Sequence, residues 1–230
     1  MGKSFFVSMM VCLVVAASAA AGDWVDLFDG KTLDGWSVHS GFAKYEVEDG
    51  TILGTAVQGS PNSFLCTDKP YGDFVLEFEV KCDPKLNSGV QFRSLIAEKE
   101  MVFWFLNAKG EPSKRTIPPD RVYGYQVEIA DAERGNSGGV YDEARRGFFL
   151  GDVSEDPAAG KAFKNDEWNH YRVECRGDAI KTWVNEVPCA DFRDSLTPQG
   201  IIGLQVHAIR AQDFQPYQVR WRNLRIKELE

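Results

Sequence analysis

Three short segments of this chain alternate apolar residues with long polar side chains. Gln91 and Arg93 flank Phe92, Gln126 and Glu128 flank Val127, and Gln205 and His207 flank Val206. Successive side chains of a β-strand point to opposite faces, so each segment reads as a strand with one apolar and one polar face. On a lone strand such a face is ordinarily a solvated surface. Three strands that carry long amides in place of the usual Lys, Thr and Ser predict a groove, if the three are neighbours in one curved sheet. Their pooled faces offer an acid, an imidazole, a guanidinium and three amides. That set suits a sugar, whose ring presents hydroxyl donors and acceptors. A Gly-rich run from Ser137 to Gly147 adds Tyr141, Arg145 and Arg146, and the two arginines could hold a carboxylate or a keto oxygen, or pair with acids such as Glu143. Trp36, Trp168, Trp183 and Trp221 are candidate stacking platforms, although most tryptophans of a sandwich belong to its core.

Such residues need strands to position them, and strand signals dominate the chain. They recur at 45–47, 51–53, 63–67, 74–81, 90–93, 125–129, 170–176, 180–185, 201–207 and 219–226, with Gly, Asn, Asp or Pro in most gaps. Asp49-Gly50 and Gly177-Asp178 read as hairpin turns, and Asn185-Glu186 as a weaker one. Many short strands without a long helical period predict an all-β sandwich of two antiparallel sheets, a jelly roll, with few short helices. Two stretches depart from this. Residues 95–120 are polar and turn-rich yet contain the cluster Met101 to Phe105, which predicts a lid, binding loop or interface, or a satellite patch tucked on the sandwich. Residues 131–165 are rich in Gly, Asp and Ala.

The amino terminus addresses the compartment. Lys3 precedes an apolar run from Phe5 to Ala17, and Ser18 to Ala21 supply a small-residue cleavage site, the pattern of a secretory signal peptide over 1–21 cleaved near Ala19 to Ala21. The run is shorter than the roughly 20 residues of a spanning helix, and no second stretch is long enough, so no membrane span is expected in the mature protein. The expected location is periplasmic or secreted. Residues 22–230 then have the length of one sandwich domain. A net charge of -8 argues against a nucleic-acid partner, which would need a basic face. Cys66, Cys82, Cys175 and Cys189 remain after cleavage. Export permits disulfides, but Cys175 and Cys189 fall on the outer strands of a three-strand meander, too far apart to bond, and buried free thiols are the preferred reading. There is no G-x-S-x-G elbow, H-E-x-x-H helix, P-loop, dinucleotide fingerprint or zinc-type cluster, and no cofactor is required by the sequence.

Six segments in order carry a resemblance over nearly all of the mature chain: Leu27 to Trp36, Asn87 to Arg93, Gly124 to Glu128, Trp168 to Tyr171, Thr182 to Asn185 and Gly203 to His207. Together they resemble the 3-keto-disaccharide hydrolase domain family. The resemblance implies a concanavalin A-like jelly roll and an activity on 3-keto-glycosides, with a carbohydrate as the partner. A C3 ketone acidifies the C2 proton, whose removal gives an enolate that expels the glycosidic oxygen, and water then adds for a net hydrolysis. In that chemistry Glu128 or His207 would be the base, Arg93 would steady the enolate, and Gln91, Gln126 and Gln205 would orient hydroxyls. Glu128 and His207 could instead hold a divalent metal, though two ligands are too few to assign one. Two features depart from the family: Glu186 stands where a Gly often follows Trp-x-Asn, and the 95–120 stretch is long. Two other readings stand beside this one. A direct glycoside hydrolase needs two carboxylates about 5 to 10 Å apart, and Glu128, Asp131 and Glu133 approach the laminarinase pattern but miss its spacing. A non-catalytic, lectin-like sugar-binding module is the other.

Overall fold

The computed structural model describes residues 22–210 and 215–230, so the expected signal peptide lies outside the described residues. In chain order the strands are β1 (Val25–Asp26), β2 (Trp36–His39), β3 (Lys44–Glu48), β4 (Thr51–Thr55), β5 (Ser63–Thr67), β6 (Phe74–Cys82), β7 (Ser88–Ile96), β8 (Met101–Leu106) and β9 (Pro112–Ile117). They continue with β10 (Val122–Ile129), β11 (Val140–Glu143), β12 (Phe149–Gly151), β13 (Asn169–Arg176), β14 (Ala179–Val184), β15 (Val187–Arg193), β16 (Ile201–Val206) and β17 (Gln218–Glu228). A single 3-10 turn over Ala159–Lys161 is the helical content of the described residues.

Two antiparallel sheets face each other. One runs β15-β14-β13-β6-β17-β4-β3, with β1 added on β17, and the other runs β12-β11-β10-β7-β16-β5-β2. Between them lies one apolar core, to which the first sheet contributes Phe74, Leu76, Phe78, Tyr171, Val173 and Trp221 and the second Val90, Phe92, Tyr125, Val127, Leu204 and Val206. These are the apolar members of the alternation read above, so burying them turns the polar members outward. The architecture is the concanavalin A-like jelly roll. Among the described residues no helix is long and apolar enough to cross a membrane.

All three turn signals close hairpins. At Asp49-Gly50 and Asn185-Glu186 both residues have positive φ, the backbone that matches strand twist in a two-residue turn. Glu186, at φ 66, occupies a conformation that costs a non-glycine residue free energy. Asn185 tolerates it better and is anchored by Nδ2–H bonds to the Ala162 carbonyl and Asn169 Oδ1, both 2.8 Å. The meander β13-β14-β15 places Cys175 and Cys189 on its outer strands, and Cys66, Cys82, Cys175 and Cys189 are all free. Burial raises every one of the four thiols, Cys175 to about 12 and Cys189 to about 11, so they are inert.

The 95–120 stretch is not a loop. Its apolar cluster forms β8 and pairs with β9 as a two-stranded arm. The alternating exposure of β8 explains the cluster: Met101 and Phe103 pack with Ala97, Ile117 and Tyr123 in a satellite core, while Val102, Trp104 and Leu106 face out. The arm rises beside β10 and walls one side of the site described next.

Candidate active site

The outward face of the second sheet is built from aligned rows. Gln126 on β10 stands opposite Tyr141 on β11 and Gln91 on β7, and Gln91 stands opposite Gly203 on β16. In the adjoining row Glu128 faces Gly89, which faces Gln205. Three of the expected strands are therefore neighbours, in the order β10-β7-β16. Over this face opens a cavity of about 910 Å³, lined by Gln126, Glu128, Tyr141 and His207 among the expected residues. Lysine and arginine side chains complete it: Arg115 from β9, and Lys85, Arg121, Arg134 and Arg210 from the connections. Phe149, in edge contact with Tyr141 at 5.3 Å between ring centroids, and Tyr217 supply its aromatic surface.

Glu128 is the chemical centre of this arrangement. Its carboxylate is buried and accepts bonds from Asn87 Nδ2 (2.5 Å) and Gln126 Nε2 (3.0 Å). The Gln126 amide is itself oriented, because its Oε1 accepts from Gln91 Nε2 at 2.7 Å, and Gln91 Oε1 accepts from Ser94 Oγ at 2.7 Å. The result is a buried chain of donors, Ser94 to Gln91 to Gln126 to Glu128, that ends on one carboxylate oxygen. Gly89 makes room for it: a Cβ there would lie 2.5 Å from Gln126 Cγ and Cδ. Burial raises the Glu128 carboxyl to about 7, with a contribution from the negative charge of Glu143, while the Asn87 and Gln126 donors and Arg134 pull the other way. A carboxyl so poised is half ionised near neutrality, as a general base or acid requires.

Its neighbours are arranged differently. Glu143, buried on β11, is paired with Arg121 and accepts from Asn62 Nδ2 at 3.3 Å. Burial, with the charge of Glu143, raises the Tyr141 hydroxyl above its usual range, so it stays protonated and able to donate. The His207 ring donates from Nδ1 to the Ala208 carbonyl at 2.8 Å, which leaves Nε2 of the neutral ring as an acceptor. Asn136 lines the cavity with its buried Oδ1 unpartnered among the described residues, an acceptor ready for a hydroxyl. Among the described residues no group of three or more His, Cys, Asp or Glu side chains is placed to hold a metal ion, and Glu128 with His207 gains no third ligand. Asp131 and Glu133 are absent from the cavity wall; Asp131 Oδ1 instead caps its own turn at the Glu133 and Arg134 amides.

Five expected residues lie outside the cavity wall. Arg93 is turned away by a bulge: β7 spends an extra residue between Gln91 and Ser94 relative to β16, and Arg93 has φ 46. Its fully buried guanidinium reaches the other sheet, bonding the Gly72 and Gly177 carbonyls at 2.8 and 2.7 Å and Asp73 Oδ1 at 2.6 Å. It clamps the end of the sandwich. Arg145 and Arg146, on the turn after β11, follow the inward-pointing Asp142. Arg145 bonds Asp142 Oδ1 at 2.8 Å and Thr197 Oγ1 at 3.1 Å and lies on the Tyr125 ring, while Arg146 bonds Asp142 and, at 2.7 Å, Asp194. Neither lines the cavity. Gln205 shares the outward face but is fully buried outside the cavity wall, and its amide has no hydrogen-bond partner among the described residues. Gln91 acts on Glu128 through Gln126 and does not line the cavity. The four candidate tryptophans are absent from the wall too: Trp221 is core, Trp36 donates to the Leu27 carbonyl, and Trp168 and Trp183 lie under Arg222 and Arg172. Arg121 and Arg134 lie on connections that carry no alternation, and Arg115 lies on β9, within a stretch read as polar and turn-rich, so periodicity did not single them out.

A family model described as the 3-keto-alpha-glucoside-1,2-lyase-like domain matches residues 23–227. The chain belongs to this family. The match spans every strand of the sandwich, so the cavity is part of the family's domain. No curated protein matches the chain. Among solved structures, a Bacillus subtilis protein of unknown function with a galectin-like fold aligns with TM-score 0.62 at 12% identity, covering 91% of this chain and 96% of that one. A Parabacteroides distasonis protein that carries a provisional glycosyl hydrolase name aligns with TM-score 0.55 at 18% identity over 91% and 94% of the two chains. The carbohydrate-binding module CBM66 of Bacillus subtilis gives 0.54 at 16% over 83% and 93%. At these identities the likeness is one of fold.

Proposed function

We propose that this member of the 3-keto-alpha-glucoside-1,2-lyase-like family cleaves 3-keto-glycosides outside the cytoplasm, by elimination across C1 and C2 followed by hydration. The observation that carries this reading is Glu128: a buried carboxyl, poised near pH 7, in the cavity of a sugar-handling family. Glu128 removes the C2 proton, and the electron pair of that C–H bond forms the enolate with the C3 ketone. The developing oxyanion is met by hydrogen-bond donors and positive charge from Tyr141 and Arg134. Collapse of the enolate breaks the C1–O bond, and the departing oxygen takes up the proton that Glu128 has acquired. Water adding across the C1–C2 double bond completes a net hydrolysis. His207 Nε2 and Asn136 Oδ1 accept hydroxyl hydrogens, while Phe149 and Tyr217 offer faces for the ring.

The test is incubation of purified protein with 3-keto-glucosides and their unoxidised parents, with and without a chelator. Turnover of the keto-sugars alone, reduced about 10²- to 10⁴-fold in Glu128→Gln, is expected. Full turnover by Glu128→Gln would refute the assignment of the base, and full turnover by His207→Ala as well would remove the site altogether. Binding of an unoxidised glycan without turnover of any keto-sugar would instead mark a binding module.

A further inference from the structure

The chain as a whole is acidic, yet its cavity is not. Five cationic side chains, Lys85, Arg115, Arg121, Arg134 and Arg210, line it against two carboxylates, Glu128 and Glu143. The whole chain carries a net charge of -8, so a local positive excess here runs against the rest of the molecule and lies where a substrate enters. One carbonyl substrate in an elimination needs a single cationic partner for its oxyanion, and the cavity holds more.

Of the cations that the elimination leaves unused, Lys85 and Arg210 are exposed, and Arg115 is the one withdrawn from solvent on the cavity wall. Arg121 is committed to Glu143, and Arg134 pairs with Asp131 at 3.4 Å. Arg115 sits half-buried on β9 with no carboxylate partner and no hydrogen-bond acceptor among the described residues. The arm brings it over the turn after β11, where Gly147 stands at φ 72 and a Cβ would come within 2.4 Å of the guanidinium. Its charge reaches Tyr141, whose hydroxyl it draws down against burial. A guanidinium on a cavity wall with its N–H groups unfilled is a receptor for a planar or tetrahedral anion, which it binds through paired, charge-assisted hydrogen bonds.

Resting on the function proposed above, we infer that the substrate is an anionic glycoside, bearing a carboxylate or a sulfate ester, and that Arg115 on the β8–β9 arm is the side chain that selects it. The arm then has a reason to exist: it carries a charge recogniser to the rim of a site whose floor handles the neutral ring.

Isothermal titration of the purified protein with methyl glucoside, methyl glucuronide, a sulfated methyl glucoside and inorganic sulfate tests this. We expect one or both anionic glycosides to bind about tenfold or more tightly than the neutral one at low salt, and the advantage to shrink as ionic strength rises. The carboxylate and sulfate arms identify which anion is preferred. Arg115→Met should abolish the preference, bringing the affinity ratio of anionic to neutral glycoside to about one with the melting temperature unchanged, and Arg115→Lys should retain part of it. Equal affinity for neutral and anionic glycosides, an unchanged preference in Arg115→Met, or inorganic sulfate binding as tightly as the glycosides would each overturn the inference. Titration needs no ketone, so it is decided separately from turnover. If neutral and anionic 3-keto-glycosides are both inert, the elimination fails and the affinity ratio still reads the arginine; if both turn over alike and bind alike, the arginine reading fails and the elimination stands.

Discussion

Replacing Gln126 by Met removes one of the two donors that hold the ionised form of Glu128, in a side chain of similar length. The Gln126 Nε2–H bond to Glu128 Oε2, 3.0 Å long in a buried setting, is made to a charged acceptor. Such bonds contribute about 1.5 to 3 kcal/mol. One pKa unit corresponds to about 1.4 kcal/mol, so losing this bond should lift the Glu128 carboxyl from about 7 by about one to two units. At pH 7 the ionised fraction would drop from about half to between about 1 and 10 per cent, a loss of roughly 5- to 50-fold in kcat/KM for a 3-keto-glucoside. The loss should be recovered at pH 9, because the variant lacks a proton acceptor only while Glu128 is protonated. The assay is kcat/KM against pH for both proteins: the acidic limb of the wild type should fall near pH 7 and that of Gln126→Met higher. A wild-type limb at the ordinary glutamate value, or a variant limb that does not move, would show that burial and the amide chain do not set the proton affinity of Glu128.

The same residue makes stability depend on pH. Its folded carboxyl titrates near 7 and the unfolded one near 4.5, so the folded state holds the proton more tightly and the stability this gives is complete below pH 4.5 and lost as pH rises through 7. Glu128→Gln should therefore gain on the order of 3 kcal/mol over the wild type between pH 4.5 and 8, measured by urea unfolding at the two pH values. Arg93→Met should do the converse of a catalytic change: loss of its bonds to Gly72, Gly177 and Asp73 should cost on the order of 3 kcal/mol in denaturant unfolding, while the folded protein keeps its kcat. Glu186→Gly should raise stability by about 1 kcal/mol, read as a shift of the thermal midpoint, because glycine adopts φ 66 without the penalty glutamate incurs there, and the exposed Glu186–His170 pair lost with it contributes little.

Much of this molecule could be read from local pattern. Val90 with Phe92, Val127 with Ile129, and Leu204 with Val206 had to share one buried face, and that alone put Gln91, Gln126, Glu128 and Gln205 on the other. The turn pairs Asp49-Gly50, Gly177-Asp178 and Asn185-Glu186 named their hairpins, because left-handed backbone is the business of few residue types. Alternation is a statement about nearest neighbours, however, and it fails where a strand gains a residue. Arg93 has the right spacing for the site, but the bulge beside it rotates its side chain through the sheet to the far end of the sandwich. Arg145 and Arg146 leave because Asp142, three and four residues before them, draws them inward, and Asp194, which only the packed fold brings near, completes the hold on Arg146.

What tertiary structure alone decided is the charge and depth of the cavity. The β8–β9 arm hides its pairing in a polar stretch whose apolar residues look like a loop patch, and it sets Arg115 beside β11, on strands separated by more than twenty residues of chain. The proton affinity of Glu128 is likewise a property of the assembled site. Burial raises it, and Asn87 and Gln126, on different strands or their approaches, restrain it. Sequence determines which side chains a strand can offer; how far each is removed from water, and what charge stands beside it, depends on contacts between segments remote in the chain.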